Sequence, residues 1–202
     1  MNIKDVITTV RSILGDNIES RQTFSDAELA SHVLHAVEVF SRYLPAEETL
    51  VLATTAGSFE LALPQDTCFT AIKAVEYPAG RIPPCRCGFT LRQGTITLLA
   101  DKAPDGTDAR VYLTLPHTID EQGSTISAAY QNLLATGAAA FATFEEAFRT
   151  TNRTNSGGSD VSRRYLAWAK ENLATYCGVL KTLAKPKNVT AGRLMPASGG
   201  GR

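Results

Sequence analysis

The chain has no excess of charge, and its 202 residues hold only four cysteines, three histidines, two methionines and one tryptophan. Its 20 basic and 20 acidic side chains cancel, so the body lacks the basic stripe with which a protein condenses on phosphates. No apolar run reaches the roughly 18 residues that span a bilayer, which argues against a membrane partner. Asp5 and Arg11 interrupt the first apolar pattern, making it a poor signal peptide and pointing to cytoplasmic synthesis. Cys68, Cys85, Cys87 and Cys177 do not make a disulfide framework at this length. Only Cys85 and Cys87 lie close together, and no second pair or neighbouring histidine completes a metal site. Free thiols are expected, with no metal and no cofactor.

Signatures of catalysis are missing as well. There is no phosphate-binding loop, nucleophile elbow, zinc-protease helix or dinucleotide fingerprint. His32 and His35 are three residues apart on an expected helix and can share a face, but they read better as a packing boundary. His117 and Asp120 are the one candidate general-base pair, with no nucleophile marked nearby, and a small hydrolase built on them is the alternative from another functional class. Glu145 and Glu146 are consecutive on a helix, so they point about 100° apart and do not pair as acid and base. Asn152-Arg153-Thr154 and Asn188-Val189-Thr190 match glycosylation sequons by chance, given the poor signal peptide. Arg163 and Arg164 sit in the first turn of the last expected helix, against its dipole; they read first as a solvated pair and otherwise as a hint of an acidic partner or an interchain carboxylate.

What is present is an ordinary globular composition, 44% apolar and 20% charged, long enough for one domain or one domain with a sizeable insert. Asn2 to Leu14 reads as a helix with Val6, Val10, Ile13 and Leu14 on one face, stopped by Gly15. A polar loop follows to Phe24. Ser25 and Glu28 then form a capping box, and Ala30, Val33, Val37, Phe40 and Leu44 stripe a second helix that ends at Pro45.

The middle is strand-like. Thr49 to Thr55 and Ser58 to Leu63 suggest a hairpin across Ala56-Gly57, and Phe69 to Tyr77 a further strand. Gly88 to Arg92 and Thr95 to Ala100 make a second hairpin across Gln93-Gly94, and Ala109 to Leu115 the last strand. The irregular run from Pro78 to Cys87 is expected to project. Helix returns after Gly123 with Ser124 or Thr125 as cap, striped by Ile126, Tyr130, Leu133, Gly137, Phe141, Phe144 and Phe148. Ala135 to Ala140 is a run of small residues, and Gly137 costs about 1 kcal/mol of helix propensity, so a close neighbour is expected there. After a polar loop, Ser159 or Asp160 caps a fourth helix striped by Leu166, Ala169, Leu173, Tyr176, Leu180 and Leu183.

The expected fold is therefore α+β: about four helices in a bundle, with an inserted antiparallel β-sheet and a flexible C-terminal tail. Residues 1–48 and 116–184 make the bundle, 49–115 the insert and 185–202 the arm. Each helical pair alone is too small to close a core, so the two must pack together. From Ala184 onward there are four basic residues and no acid, while the preceding 183 residues carry 16 basic and 20 acidic side chains, a net of −4. A basic arm follows an acidic body.

In this order the chain resembles the head-to-tail adaptor, or connector, family of tailed bacteriophages. Phe24-Ser25-Asp26-Ala27-Glu28-Leu29 and Phe40-Ser41-Arg42-Tyr43-Leu44-Pro45 resemble the family's opening. Val75-Glu76-Tyr77-Pro78 and Val111-Tyr112-Leu113-Thr114-Leu115-Pro116-His117 resemble its inserted sheet, and Ala135 to Phe148 with Tyr165-Leu166-Ala167-Trp168-Ala169 its closing helices. The resemblance implies a non-enzymatic virion protein at the head–tail junction, assembled in the host cytoplasm. It implies a ring, commonly of twelve copies, under the portal protein, extending the DNA channel and offering a surface to tail, tail-tube or nozzle proteins. DNA would pass without sequence-specific binding. It also implies that Lys185, Lys187, Arg193, Leu194, Met195 and Arg202 of the arm dock on the portal. The loop residues Arg81, Ile82, Pro83 and Pro84 are the expected contact with a neighbouring subunit or the tail. Another neck or tail-completion protein, or a bacterial regulatory binding module, is the alternative.

Overall fold

The computed structural model describes residues 1–64, 67–151 and 160–185. Among these it is α+β, with four long helices and one six-stranded sheet inserted between the second and third helix.

Helix α1 (Ile3–Leu14) opens on a capping box in which Asn2 Oδ1 accepts from the Asp5 amide, and the Asn2 amide donates to Asp5 Oδ2, both at 2.9 Å. It ends where Gly15 turns left-handed at φ 68°. Val6, Ile7 and Val10 are buried, while Ile13, expected on that face, is 37% exposed at the end of the helix. Helix α2 (Asp26–Tyr43) starts from the expected Ser25–Glu28 capping box and buries Leu29, Val33, Ala36, Val37 and Phe40. The connection between the helices is not simply a polar loop. The Arg11 guanidinium is buried there against Asp16 at 2.9 Å and Asp26 at 2.6 Å, and donates to the Phe24 carbonyl at 3.0 Å.

The strands are β1 (Ala46–Ala53), β2 (Glu60–Ala62), β3 (Ala71–Glu76), β4 (Arg86–Arg92), β5 (Thr95–Leu99) and β6 (Asp108–Leu115). Every pairing is antiparallel and the order is β1-β6-β3-β4-β5-β2. The β4–β5 hairpin forms as expected, with positive φ at both Gln93 (47°) and Gly94 (78°), the handedness that matches strand twist. The expected β1–β2 hairpin does not form. β1 pairs along all eight residues with β6, β2 pairs with β5, and the two strands sit at opposite edges. Leu50 and Leu52 face Val111 and Ala109 across the sheet, an apolar match that a local turn at Ala56-Gly57 does not supply. Leu61, Leu63, Val75, Ile96, Leu98, Ala109, Val111 and Leu113 form one cluster, against which Leu50 and Leu52 of β1 also pack, so both ends of the strand order meet and the sheet curls around them.

The segment between β6 and the third helix is not yet helical at Ser124 or Thr125. Ile119 and Ser124 form a bridge, a short 3-10 turn covers Ala128–Tyr130, and α3 runs from Gln131 to Thr151. Ser127 takes the capping role, accepting from the Ala129 amide. The buried face of α3 is Leu134, Ala135, Ala138, Ala139, Ala140, Ala142 and Ala147, not the expected aromatic stripe, and Phe148 is 59% exposed. Alanine wins because α3 is the central helix, touching α1, α2 and α4 (Val161–Leu183), and small side chains let three neighbours approach. At Gly137 an added Cβ would lie 2.9 Å from the ring of Tyr176, so the close neighbour expected there is present. The Tyr176 hydroxyl crosses to donate to the Ala36 carbonyl at 2.7 Å. Residues of all four helices thus share one cluster, the packing of outer segments that the sequence requires. On α4, Ala169, Tyr176 and Leu180 are buried, and Leu166, Leu173 and Leu183 only half-buried. Asp160 stands at the cap position of α4 without a side-chain cap bond, and Ser159 lies outside the described residues.

Candidate interaction surface

The loop between β3 and β4 is anchored at its base and bare at its tip. Val75 pairs with Cys87 and Glu76 with Arg86, so the strands meet only where the loop begins. The Tyr77 amide donates to the Cys85 carbonyl at 3.0 Å, and the Ala79 amide to the Asp108 carbonyl at 2.8 Å. The Tyr77 hydroxyl donates to Asp105 Oδ1 at 2.8 Å and accepts from the Asp105 amide at 2.9 Å. The Thr107 amide and hydroxyl also donate to Asp105, which is held at a pKa of about 2, chiefly by the Thr107 amide.

Glu76 fastens the same loop from the outer face of the sheet. Its side chain is 1% exposed. Oε1 accepts from the Gly80 amide at 2.9 Å, and Oε2 from the Tyr112 hydroxyl at 2.9 Å and Arg110 at 3.4 Å. The Tyr112 hydroxyl, then the Gly80 amide and Arg110, hold this carboxyl below the usual range against the pull of desolvation. In register across three strands, Arg110, Glu76 and Arg86 form a charge ladder. Glu47, Lys73, Ala74, Pro84 and Tyr112 complete a recess around it, with Lys73 paired to Glu47. Arg81, Ile82, Pro83 and Pro84 are all exposed, and Ile82 is 93% so. Ile82 is the most exposed of the large apolar side chains among the described residues.

Sequence reasoning passed over Glu76. Its signal was a carboxylate closing a strand four residues before a glycine, in reach of that glycine's amide. A second overlooked cluster joins α2 to α3. Arg149 bonds Glu28 at 2.8 Å and Glu145 at 2.6 Å, and the other Glu145 oxygen lies 3.2 Å from His32 Nε2. Glu28 therefore does more than cap its helix. The Ser25 amide first, and Arg149 second, hold its pKa at about 2. Burial lowers the His32 pKa although Glu145 opposes it. His35 stacks on Phe141 with ring centres 4.1 Å apart, so both histidines serve helix packing, and no metal-binding group of three or more appears among the described residues.

His117 and Asp120 are not brought together as acid and base. His117 Nδ1 is bonded to Thr125 Oγ1 at 2.9 Å and its amide donates to Ser41 Oγ at 2.9 Å. Asp120 Oδ1 accepts from the Gln122 and Gly123 amides and shapes a turn. Cys85 and Cys87 are free thiols, and burial pushes Cys87 upward in pKa. Arg163 lies 3.6 Å from its own Asp160, an intrachain answer to part of the charge noted above. Of the arm, Lys185 is exposed beyond the end of α4; Lys187, Arg193, Leu194, Met195 and Arg202 lie outside the described residues, as do the sequons and most of the loop before α4. No helix among the described residues is long and apolar enough to cross a membrane.

No family model and no curated protein matches the chain. Among solved structures, it is similar to a chain in the virion of a native gene transfer agent particle, at 15% identity, covering 85% of this chain and 88% of that one. The TM-score is 0.28, a superposition too loose to show a common fold.

Proposed function

We propose that the chain is a structural virion protein, a head-to-tail adaptor that forms a ring beneath a portal, extends its DNA channel and offers a surface for tail attachment. The observation that carries this reading is the loop from Pro78 to Cys85, anchored by Glu76 and Asp105 and presenting Ile82 almost wholly to solvent. The polar groups of the recess beside this loop are engaged with one another, Lys73 with Glu47 and Arg110 with Glu76, while the loop braces an apolar tip outward. The sequence resemblance set out above supplies the class of partner.

A closed ring needs two unlike faces on each subunit. The sheet with its loop (49–115) supplies one, and the helical unit (1–48 and 116–184) the other. The acidic body would let duplex slide through the channel, and the basic arm from Lys185 would seek acidic portal surface. Co-purification with the portal protein tests this. Deleting residues 185–202 is expected to weaken portal binding and salt sensitivity together, and undiminished binding would remove the arm from the account.

A further inference from the structure

A groove on the helical unit is independent of that reading. Ile13 and Leu14 at the end of α1, Thr143 on α3, and Arg164, Tyr165 and Trp168 on α4 line a groove of about 420 Å³. Ile13 and Tyr165 are 37% and 41% exposed. Tryptophan, tyrosine and arginine are the residues that dominate binding energy at interfaces, and here all three converge with aliphatic carbon in one groove. The first turn of α4 holds no acidic residue. Arg163 is answered by Asp160, while the Arg164 guanidinium has no partner among the described residues. A cation at the positive end of a helix dipole is unfavourable until an anion meets it.

We propose that this groove docks a segment of another protein that carries an aromatic or aliphatic side chain beside a carboxylate. The apolar side chain enters between Ile13 and Trp168, and the carboxylate pairs with Arg164. The chain does not supply this occupant from its two longer stretches outside the described residues, since 152–159 and 186–202 contain no aspartate or glutamate.

Trp168 is the only tryptophan, so intrinsic fluorescence of the full chain reports on the groove directly. The probes are the blocked tetrapeptide Asp-Phe-Leu-Asp and its amide counterpart Asn-Phe-Leu-Asn. The acidic peptide is expected to change Trp168 emission saturably and to bind about tenfold more tightly than the amide peptide, the scale of one charged hydrogen bond. Arg164→Glu should erase that preference, transfer it to Lys-Phe-Leu-Lys, and leave the melting temperature no lower, since a carboxylate suits the start of a helix. Absence of a saturable response to the acidic peptide, equal affinity for both peptides, or indifference to Arg164→Glu would overturn the proposal. So would self-association of the unliganded chain that Arg164→Glu abolishes, because the groove would then belong to a second copy.

Discussion

At the scale of single residues, Gly137 is the sharpest case. A methyl there meets the Tyr176 ring at 2.9 Å, and that ring is fully buried and tied to Ala36, so it has nowhere to go. Gly137→Ala gains about 1 kcal/mol of helix propensity but overpacks at a cost of about 1–3 kcal/mol. The variant should unfold at lower urea than the parent, and a raised midpoint would show that the ring can move. Glu28 makes a prediction in pH. Its pKa is about 2 in the folded chain against 4.5 ordinarily, a depressed carboxylate. Its contribution is therefore full above pH 4.5 and is lost as pH falls toward 2. Glu28→Gln keeps a side chain able to close the capping box, so the variant's melting temperature should fall less steeply across that window. His32, lowered by burial, adds a loss of stability on acidification below its ordinary 6.5.

At the scale of elements, Glu76 holds the projecting loop through the Gly80 amide, Tyr112 and Arg110. Glu76→Ala should speed amide exchange at Gly80 and tryptic cleavage after Arg81, with the strands of the sheet unchanged; equal protection in both chains would show that Tyr77 and Asp105 suffice. This anchoring explains what the sequence disclosed and what it hid. The Ser25–Glu28 box, Gly15, Pro45 and the Gln93-Gly94 turn act locally, and each marked its element correctly, whereas the cap expected at Ser124 or Thr125 fell short of α3, which starts at Gln131. The partner of β1 was hidden, because pairing with β6 is decided by Leu50 and Leu52 against Val111 and Ala109, some sixty residues away. The face of α3 was hidden for a related reason. Size alone suggested that the phenylalanines go inward, but a helix with three neighbours buries its alanines. The loop tip was legible from its prolines, while its carboxylate anchors depend on bonds across strands.

At the scale of the whole molecule, two apolar clusters divide the work, one shared by the four helices and one inside the curled sheet. The ends of the insert are side by side, since Ala46 pairs with Leu115. Replacing residues 47–114 by a hairpin-length linker should leave a helical protein that melts cooperatively, and a gradual, uncooperative loss of ellipticity would show that the sheet is needed to close the bundle. The central claim is that this scaffold acts through its surfaces in a ring. Electron-microscope class averages of the full chain mixed with the portal protein test it most directly. The account predicts a ring of this chain, about twelve copies if the family likeness holds, coaxial with the portal. Portal particles without added density, alongside a chain that stays monomeric, would contradict it.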